Sequence, residues 1–251
     1  MSFAVAAEAY DRFMGRYSAP LAPRFLEFAR VESGPVLDVG CGPGALTTVL
    51  VERFGTHAVA AADPSEPFVS AARKRHPGAR IEVAPAEEMP FGDRQFAAAL
   101  AQLVVHFMAD PLTGIREMKR VTRECGVVAA CVWDFAGGRG PLGVFWNAAR
   151  QLDPEVDDES GRAGAREGHL TELLDAAGLR DVEGGAVSIA VEHSSFDEWW
   201  EPFTFGVGPA GAYVAALSED GCAVLRDRCR ELLPAAPFTV HARAWAARGV
   251  V

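Results

Sequence analysis

The chain has 251 residues, 49% of them hydrophobic and 23% charged, with a net charge of −10. That length holds one sizeable α/β core or two small ones, and the negative balance argues against nucleic acid as a partner. No apolar run reaches about eighteen residues, so no membrane span is predicted. Cys41, Cys125, Cys131, Cys222 and Cys229 are odd in number without a CxxC, which predicts reduced thiols and neither a disulfide framework nor a metal site.

The opening stretch MSFAVAAEAYDRFMGRY holds Glu8 and no basic leader, which predicts a cytoplasmic chain without a signal peptide. Tyr10, Phe13, Met14 and Tyr17 recur at helical steps. Pro20 and Pro23 are expected to interrupt that helix, with APRFLEFARV forming a second one. From residue 35 the pattern alternates. PVLDVG, HAVAAAD, ARIEVAPA, QFAAALAQLVV and GVVAACVWDF read as strands. GALTTVLVERFG, SEPFVSAARKRH and DPLTGIREMKRVTR read as helices between them, with Ser65 and Asp110 as N-caps and Gly55 as a stop. Nearly continuous apolar strands separated by helices predict a parallel sheet covered on both faces, a doubly wound α/β fold.

Beyond Phe135 the pattern loosens. LGVFWNAARQLD and REGHLTELLDAAGL read as helices around an acidic loop, DPEVDDESGRAGA. DVEGGAVSIAVEH and FTVHARAWAARGV read as two late strands that pair at an edge. The excursion between them contains an aromatic-rich stretch and the helix SEDGCAVLRDRCRELLP, and is expected to cap the sheet. The expected organisation is a helical lid at 1–33, a ligand-binding core at 34–135, the rest of the core with a cap insertion at 136–193, an aromatic helical cap at 194–237 and a final strand at 238–251.

The most informative stretch is VLDVGCGPGA, a strand that ends in a glycine turn. In an open parallel sheet ligands bind beyond the carboxyl ends of the strands, and glycines there let backbone N–H groups approach closely. Gly40, Gly42 and Ala45 fit G-x-G-x-x-A, the dinucleotide pattern, which is weak alone. Asp38, two residues before the first glycine, would repel a pyrophosphate and suits a cationic amine. A third glycine follows at Gly44, and a helical segment precedes the turn. These features point to a ligand with an ammonium and a sulfonium and no phosphate. A nicotinamide-dependent oxidoreductase is the rival enzyme reading, and it leaves Asp38 unexplained.

VLDVGCGPG resembles the first motif of class I S-adenosylmethionine-dependent methyltransferases. AVAAADPSEPFVSAAR resembles the second, VAPAEEMPFGDRQFAAALAQLVVHFMADP the third and fourth, and GIREMKRVTRECGVVAAC the helix and strand that follow. They run in family order from about 34 to 133, on the "type 11" branch that includes ubiquinone and menaquinone biosynthesis enzymes. The resemblance implies a Rossmann-like, seven-stranded, mostly parallel sheet with a helical cap and N-terminal lid helices. It implies S-adenosylmethionine as cofactor. One departure is clear: Pro85 stands where the family usually has an aspartate that contacts the adenine amino group.

On that resemblance, Asp38 binds the methionine ammonium or orients the glycine loop, unless local backbone N–H groups satisfy it. Gly40 and Gly42 face the methionine part. Asp63 accepts the ribose hydroxyls, the alternative being an N-cap for the next helix, and Pro64 lies against adenine. Ala86 and Glu87 could read the ring edge, with Glu87 otherwise a solvated charge. Gln102 could hold the amino-acid part through its carbonyl. Tyr10 and Arg16 are candidates to close over the carboxylate, or their helix simply packs on the core. His106 is the candidate general base, or is structural. In the cap, Trp146, Trp199, Trp200 and Phe203 either line the acceptor site or form a core. The absence of a P-P-Y or N-P-P-Y motif after the fourth strand disfavours amide or nucleobase methylation of that type. The expected activity is O- or N-methylation of a small, largely apolar or aromatic metabolite by a monomer or homodimer, and the alternative is a non-catalytic cofactor-binding regulatory module.

Overall fold

The computed structural model describes residues 7–251, so the first six residues of the expected lid lie outside the described residues. The N-terminal arm is one continuous helix: α1 (Ala7–Tyr10), a π-helical turn (Asp11–Gly15) and α2 (Arg16–Ala29). Pro20 and Pro23 lie inside α2 and do not break it, against expectation. An interior proline costs about 3 kcal/mol, but Leu21, Phe25 and Leu26 are fully or nearly fully buried. Each such side chain contributes about 1.5–3 kcal/mol, so packing on the sheet outweighs local preference.

A Rossmann-like alternation follows: β1 (Val36–Val39), α3 (Ala45–Phe54), β2 (Val59–Asp63), α4 (Glu66–Arg75), β3 (Arg80–Val83), β4 (Phe96–Gln102), α5 (Pro111–Val121) and β5 (Thr122–Trp133). Asp110 caps α5, accepting from the backbone N–H groups of Leu112 and Thr113. The expected extension of α5 to Arg123 is taken over by β5, whose Thr122 pairs with Phe96. Next come α6 (Gly143–Leu152), α7 (His169–Ala176), β6 (Arg180–His193), α8 (Phe196–Trp200), α9 (Gly208–Ala216), α10 (Glu219–Leu232) and β7 (Phe238–Val250).

The seven strands form one sheet in the order β3-β2-β1-β4-β5-β7-β6. β1 through β5 run parallel, and β7 is antiparallel to both β5 and β6. The order reverses between β1 and β4, so this switch point opens a crevice at their carboxyl ends. β1, β2 and β4 are buried along their whole length.

Among the described residues two large hydrophobic cores result, beside a small cluster of Cys41, Ala61, Val69, Ala72 and Ile81. The main one joins the sheet, α2, α3 and α5. The second lies under the cap and is built from Phe145, Trp146, Trp199, Trp200, Phe203 and Leu225, with Phe13 reaching in from the N-terminal arm. Phe13 meets Phe203 edge-on with ring centroids 5.1 Å apart, so arm and cap share one apolar interior. No helix of the described residues is long and apolar enough to cross a membrane.

Candidate active site

A cleft that is partly open to solvent, with about 720 Å³ of empty space when the solvent at its mouth is counted, lies at the switch point. Its floor is the β1 carboxyl end and the glycine turn: Asp38, Gly40, Cys41 and Gly42. Asp63, Pro64 and Phe68 form one side, Gln102, Leu103 and Val104 the other, and Tyr10 and Phe107 cover it.

The glycine turn is held by β2. The N–H groups of Gly40 and Cys41 donate to the Ala62 carbonyl at 2.7 and 3.0 Å, and Gly42 N–H donates to Asp63 Oδ2 at 2.9 Å. Gly40 and Gly42 both have positive φ, at 68° and 53°. Their reasons for being glycine differ. A Cβ on Gly40 would meet Val104 at 2.4 Å, whereas a Cβ on Gly42 would meet nothing within 4 Å. Gly42 therefore leaves open space over the cleft floor, and Gly40 is fixed by packing.

Several buried polar groups in the cleft are under-satisfied. Asp38 accepts from Thr47 Oγ1 at 2.6 Å through one oxygen, while its Oδ1 has no hydrogen-bond partner among the described residues. Burial, partly offset by the Thr47 hydrogen bond and reinforced by Asp63, pushes the Asp38 pKa up to about 7. Gln102 Nε2 donates to the Ser18 carbonyl at 3.0 Å, and its Oε1 is likewise without a partner. Two orphaned acceptors in a buried cleft are costly unless a donor completes them. A ligand ammonium supplies such donors. The carboxyl of Asp63 is raised by burial, while the N–H groups of Gly42 and Ser65 pull it down. Each Asp63 oxygen has lone-pair capacity left after its single backbone bond.

A second, narrower chamber adjoins the cleft, with about 440 Å³ of empty space when the solvent at its mouth is counted. Phe13, Met14, Trp133, Phe135, Leu142 and Val207 make it apolar. Tyr10, Leu103 and Phe107 border both spaces. Leu103 lies at this junction with φ 63°, unusual for a side chain of this kind, and its N–H donates to the Cys131 carbonyl at 2.8 Å. Besides Tyr10, the described residues place two ionisable groups on the chamber wall, His106 and Glu159, both more than nine-tenths buried.

Comparison with known proteins identifies the domain that supplies the cleft floor. Residues 37–130 match the family model of a methyltransferase domain. Residues 37–130 thus carry a methyltransferase domain of the class I S-adenosylmethionine-dependent type. A relative described as an uncharacterized methyltransferase of Mycobacterium tuberculosis is 36% identical over 148 residues, covering 59% of this chain and 52% of the relative. A malonyl-[acyl-carrier protein] O-methyltransferase of Halorhodospira halophila is 32% identical over 132 residues, covering 51% and 45%. The chain thus spans about half the length of these curated relatives. A Haemonchus contortus phosphoethanolamine N-methyltransferase, solved with phosphomonomethylethanolamine and S-adenosylhomocysteine, shares the fold with TM-score 0.59 at 17% identity, covering 97% of this chain and 56% of that one. S-adenosylmethionine is the cofactor of this methyltransferase type, and the orphaned acceptors and open glycine turn fit its amino-acid end.

The methyltransferase cleft brings Tyr10, Asp38, Gly40, Gly42, Asp63, Pro64 and Gln102 together. It does not include Ala86, Glu87 or Arg16. Ala86 is packed in the main core, and Glu87 Oε1 accepts from the Asp110 N–H at 3.2 Å, turned toward α5. Arg16 is held elsewhere: it donates to Glu198 Oε1 at 2.9 Å and lies 3.0 Å from His193 Nδ1. A partly exposed ion pair and a buried imidazole satisfy the guanidinium, so it latches arm to cap. Asp63, not Asp38, orients the glycine loop, and it also accepts from the Ser65 N–H at the start of α4 at 2.8 Å. Tyr10 leans on Phe68 with centroids 5.1 Å apart, and burial together with the Asp63 and Asp11 carboxylates holds its phenol protonated.

His106 lies in the chamber against Phe107, with centroids 3.9 Å apart. Burial and nearby Arg162 push its pKa down to about 3, so the imidazole is neutral at ordinary pH and a weak base. The cap aromatics Trp146, Trp199, Trp200 and Phe203 do not line the chamber. They pack on one another, with Phe145 and Phe203 stacked at 4.6 Å, because large rings bury most area against other rings. The chamber wall comes instead from residues at and just past the β5 carboxyl end and from the start of α9. Sequence reasoning missed Trp133, Phe135 and Glu159. The rule that sites lie at strand carboxyl ends applies to Trp133 and Phe135 and would have found them, but the acidic loop gave no sign that Glu159 turns inward.

Proposed function

We propose that this chain transfers a methyl group from S-adenosylmethionine to an oxygen or nitrogen of a small, largely apolar or aromatic metabolite. The observation that carries the reading is the shared wall of Tyr10, Leu103 and Phe107 between the cofactor cleft and the apolar chamber. A donor in one space and an acceptor in the other are neighbours across it.

When bound, S-adenosylmethionine supplies an electrophilic methyl group on a sulfonium. The chain's own residues position it. Asp38 Oδ1 and Gln102 Oε1 accept from the ammonium, Asp63 accepts from the ribose hydroxyls, and Pro64 and Phe68 flank the base. The chamber holds the acceptor away from water, which favours a transfer in which positive charge disappears. Aligning two bound reactants contributes about 7–11 kcal/mol, so most of the work is positioning.

In this reading the segment 194–237 is the acceptor-side cap, nucleic acid is no partner, and the chain acts as a monomer or homodimer. The free cysteines are consistent with a reducing cytoplasm. The test is methyl transfer from labelled S-adenosylmethionine to a panel of apolar phenols and amines, beside calorimetry with S-adenosylhomocysteine. Tight cofactor binding with no labelled product from any panel member would favour the regulatory module instead.

A further inference from the structure

Among the described residues Glu159 is the one acidic side chain lining the apolar chamber, and it is 2% exposed. Its backbone has φ 66°, a conformation rare for a residue with a side chain and found where surrounding structure imposes it. The carboxylate is held from one side only. Trp146 Nε1 donates to Oε2 at 3.1 Å, while Arg162 Nε stands off at 4.0 Å from Oε1 and itself lacks a hydrogen-bond partner among the described residues. Two further buried groups of the same chamber, His106 Nδ1 and Trp133 Nε1, also have no partner. Buried polar atoms left incomplete in an apolar space mark a place where a ligand completes the set.

From this geometry, and resting on the methyltransferase reading, we infer that Glu159 binds the proton-bearing nucleophile of the acceptor, receives its proton during transfer, and so selects neutral hydroxyl or amine acceptors over carboxylates. In the step, the acceptor's O–H or N–H bond breaks and its proton joins a Glu159 oxygen. The freed electron pair bonds the methyl carbon, and the carbon–sulfur pair stays on the neutral thioether. Each atom and charge is accounted for without another reactant.

Selection follows from the same charge. Among the described residues no cation on the chamber wall would meet a carboxylate acceptor beside Glu159, since His106 is neutral and Arg162 does not line the chamber. Acceptors such as a malonyl group, after which one relative is named, carry that unfavourable feature. Burial raises the Glu159 pKa to about 7, with Arg162 and the Trp146 hydrogen bond opposing and Asp157 and Asp158 reinforcing the rise. Asp158 is itself paired with Arg150. A carboxyl poised near neutrality is suited to accept a proton.

The test uses the full chain saturated with S-adenosylhomocysteine at about pH 8, where Glu159 is ionised, and calorimetry with four probes that share one ring system. These are 2-naphthol, 2-naphthylamine, 2-methoxynaphthalene and 2-naphthoate. The expected result is that the naphthol and naphthylamine bind at least about tenfold more tightly than the other two, the loss typical of a buried charge left without its donor. In Glu159→Gln, which keeps an acceptor for Trp146, 2-naphthoate should draw within about threefold of 2-naphthol. The wild-type ranking stands as a test even if that variant folds poorly. If 2-naphthoate binds as well as 2-naphthol, if no probe binds, or if the ranking is unchanged in Glu159→Gln, the assignment of Glu159 is wrong. Failure of S-adenosylhomocysteine itself to bind strikes the methyltransferase reading and is seen separately.

Discussion

The N–H of Gly42 donates to Asp63 Oδ2 across 2.9 Å, tying the glycine turn after β1 to the last residue of β2. One carboxylate thus shapes the cleft floor, starts α4 through Ser65 and, in the proposed function, meets the ribose.

Asp63→Ala should cost more than the ribose contacts alone, because the Gly42 and Ser65 N–H groups lose their acceptor together. Hydrogen bonds to a charged group contribute about 1.5–3 kcal/mol each, so S-adenosylhomocysteine affinity should fall by at least about tenfold. Calorimetry measures the loss, and circular dichroism confirms that the variant is folded. Unchanged affinity would remove Asp63 from the cofactor site.

The two glycines of the turn should separate stability from binding. Gly40→Ala drives a Cβ toward Val104 and should lower the melting temperature, since overpacking costs about 1–3 kcal/mol. Gly42→Ala meets no protein atom, so it should lower stability less and cofactor affinity more. Thermal melts with and without S-adenosylhomocysteine distinguish them. Equal losses of both kinds in both variants would mean that the turn acts only as structure.

Much of this architecture was readable in the sequence because the core strands are short apolar runs bounded by glycine and capping residues. VLDVGCGPG, Asp63 and Asp110 each carry a local physical signal. Failures came where distant packing decides. Pro20 and Pro23 read as helix breaks, yet burial of Leu21 and Phe25 holds α2 together. Arg16 read as a cofactor residue because nothing local shows that Glu198, 182 positions away, captures it. Trp199, Trp200 and Phe203 read equally as wall or core, and only their mutual contacts resolve that. Glu159 sat in a run of acidic residues that looks solvated throughout.

The latch between arm and cap should be sensitive to acid. His193 is fully buried, lies 3.0 Å from Tyr17 Oη and from Arg16, and has its pKa pushed down to about 4 by burial and Arg16, opposed by Glu198. The unfolded chain has histidine near about 6.5, so the unfolded state binds the proton first. Stability contributed by neutral His193 is therefore full above about pH 6.5 and is lost as pH falls toward about 4. Glu198, held down to about 2 by Ser194 and Arg16, gives its own loss mainly below that window. Because His106 titrates in the same direction, the comparison must be with His193→Gln. Its denaturant midpoint should start lower and fall less between about pH 7 and pH 4.5. Parallel pH profiles for the two proteins would show that the latch does not titrate.

Asp38 links protonation to cofactor binding. With its pKa near about 7 in the free protein, a substantial fraction is protonated at pH 6.5, and a neutral carboxyl is a poor partner for an ammonium. A bound ammonium lowers that pKa by opposite charge, so binding expels the proton. The cofactor's amino group stays charged below about pH 7.5, so the sign is set by the protein. S-adenosylhomocysteine affinity should rise as pH climbs from about 5.5 to about 7.5 and then level off. Calorimetry at about pH 6.5 in buffers of different ionisation enthalpy should show net proton release. Asp38→Asn should bind more weakly and release no proton. Affinity independent of pH across that range, with no buffer dependence of the heat, would mean that the ammonium does not sit on Asp38.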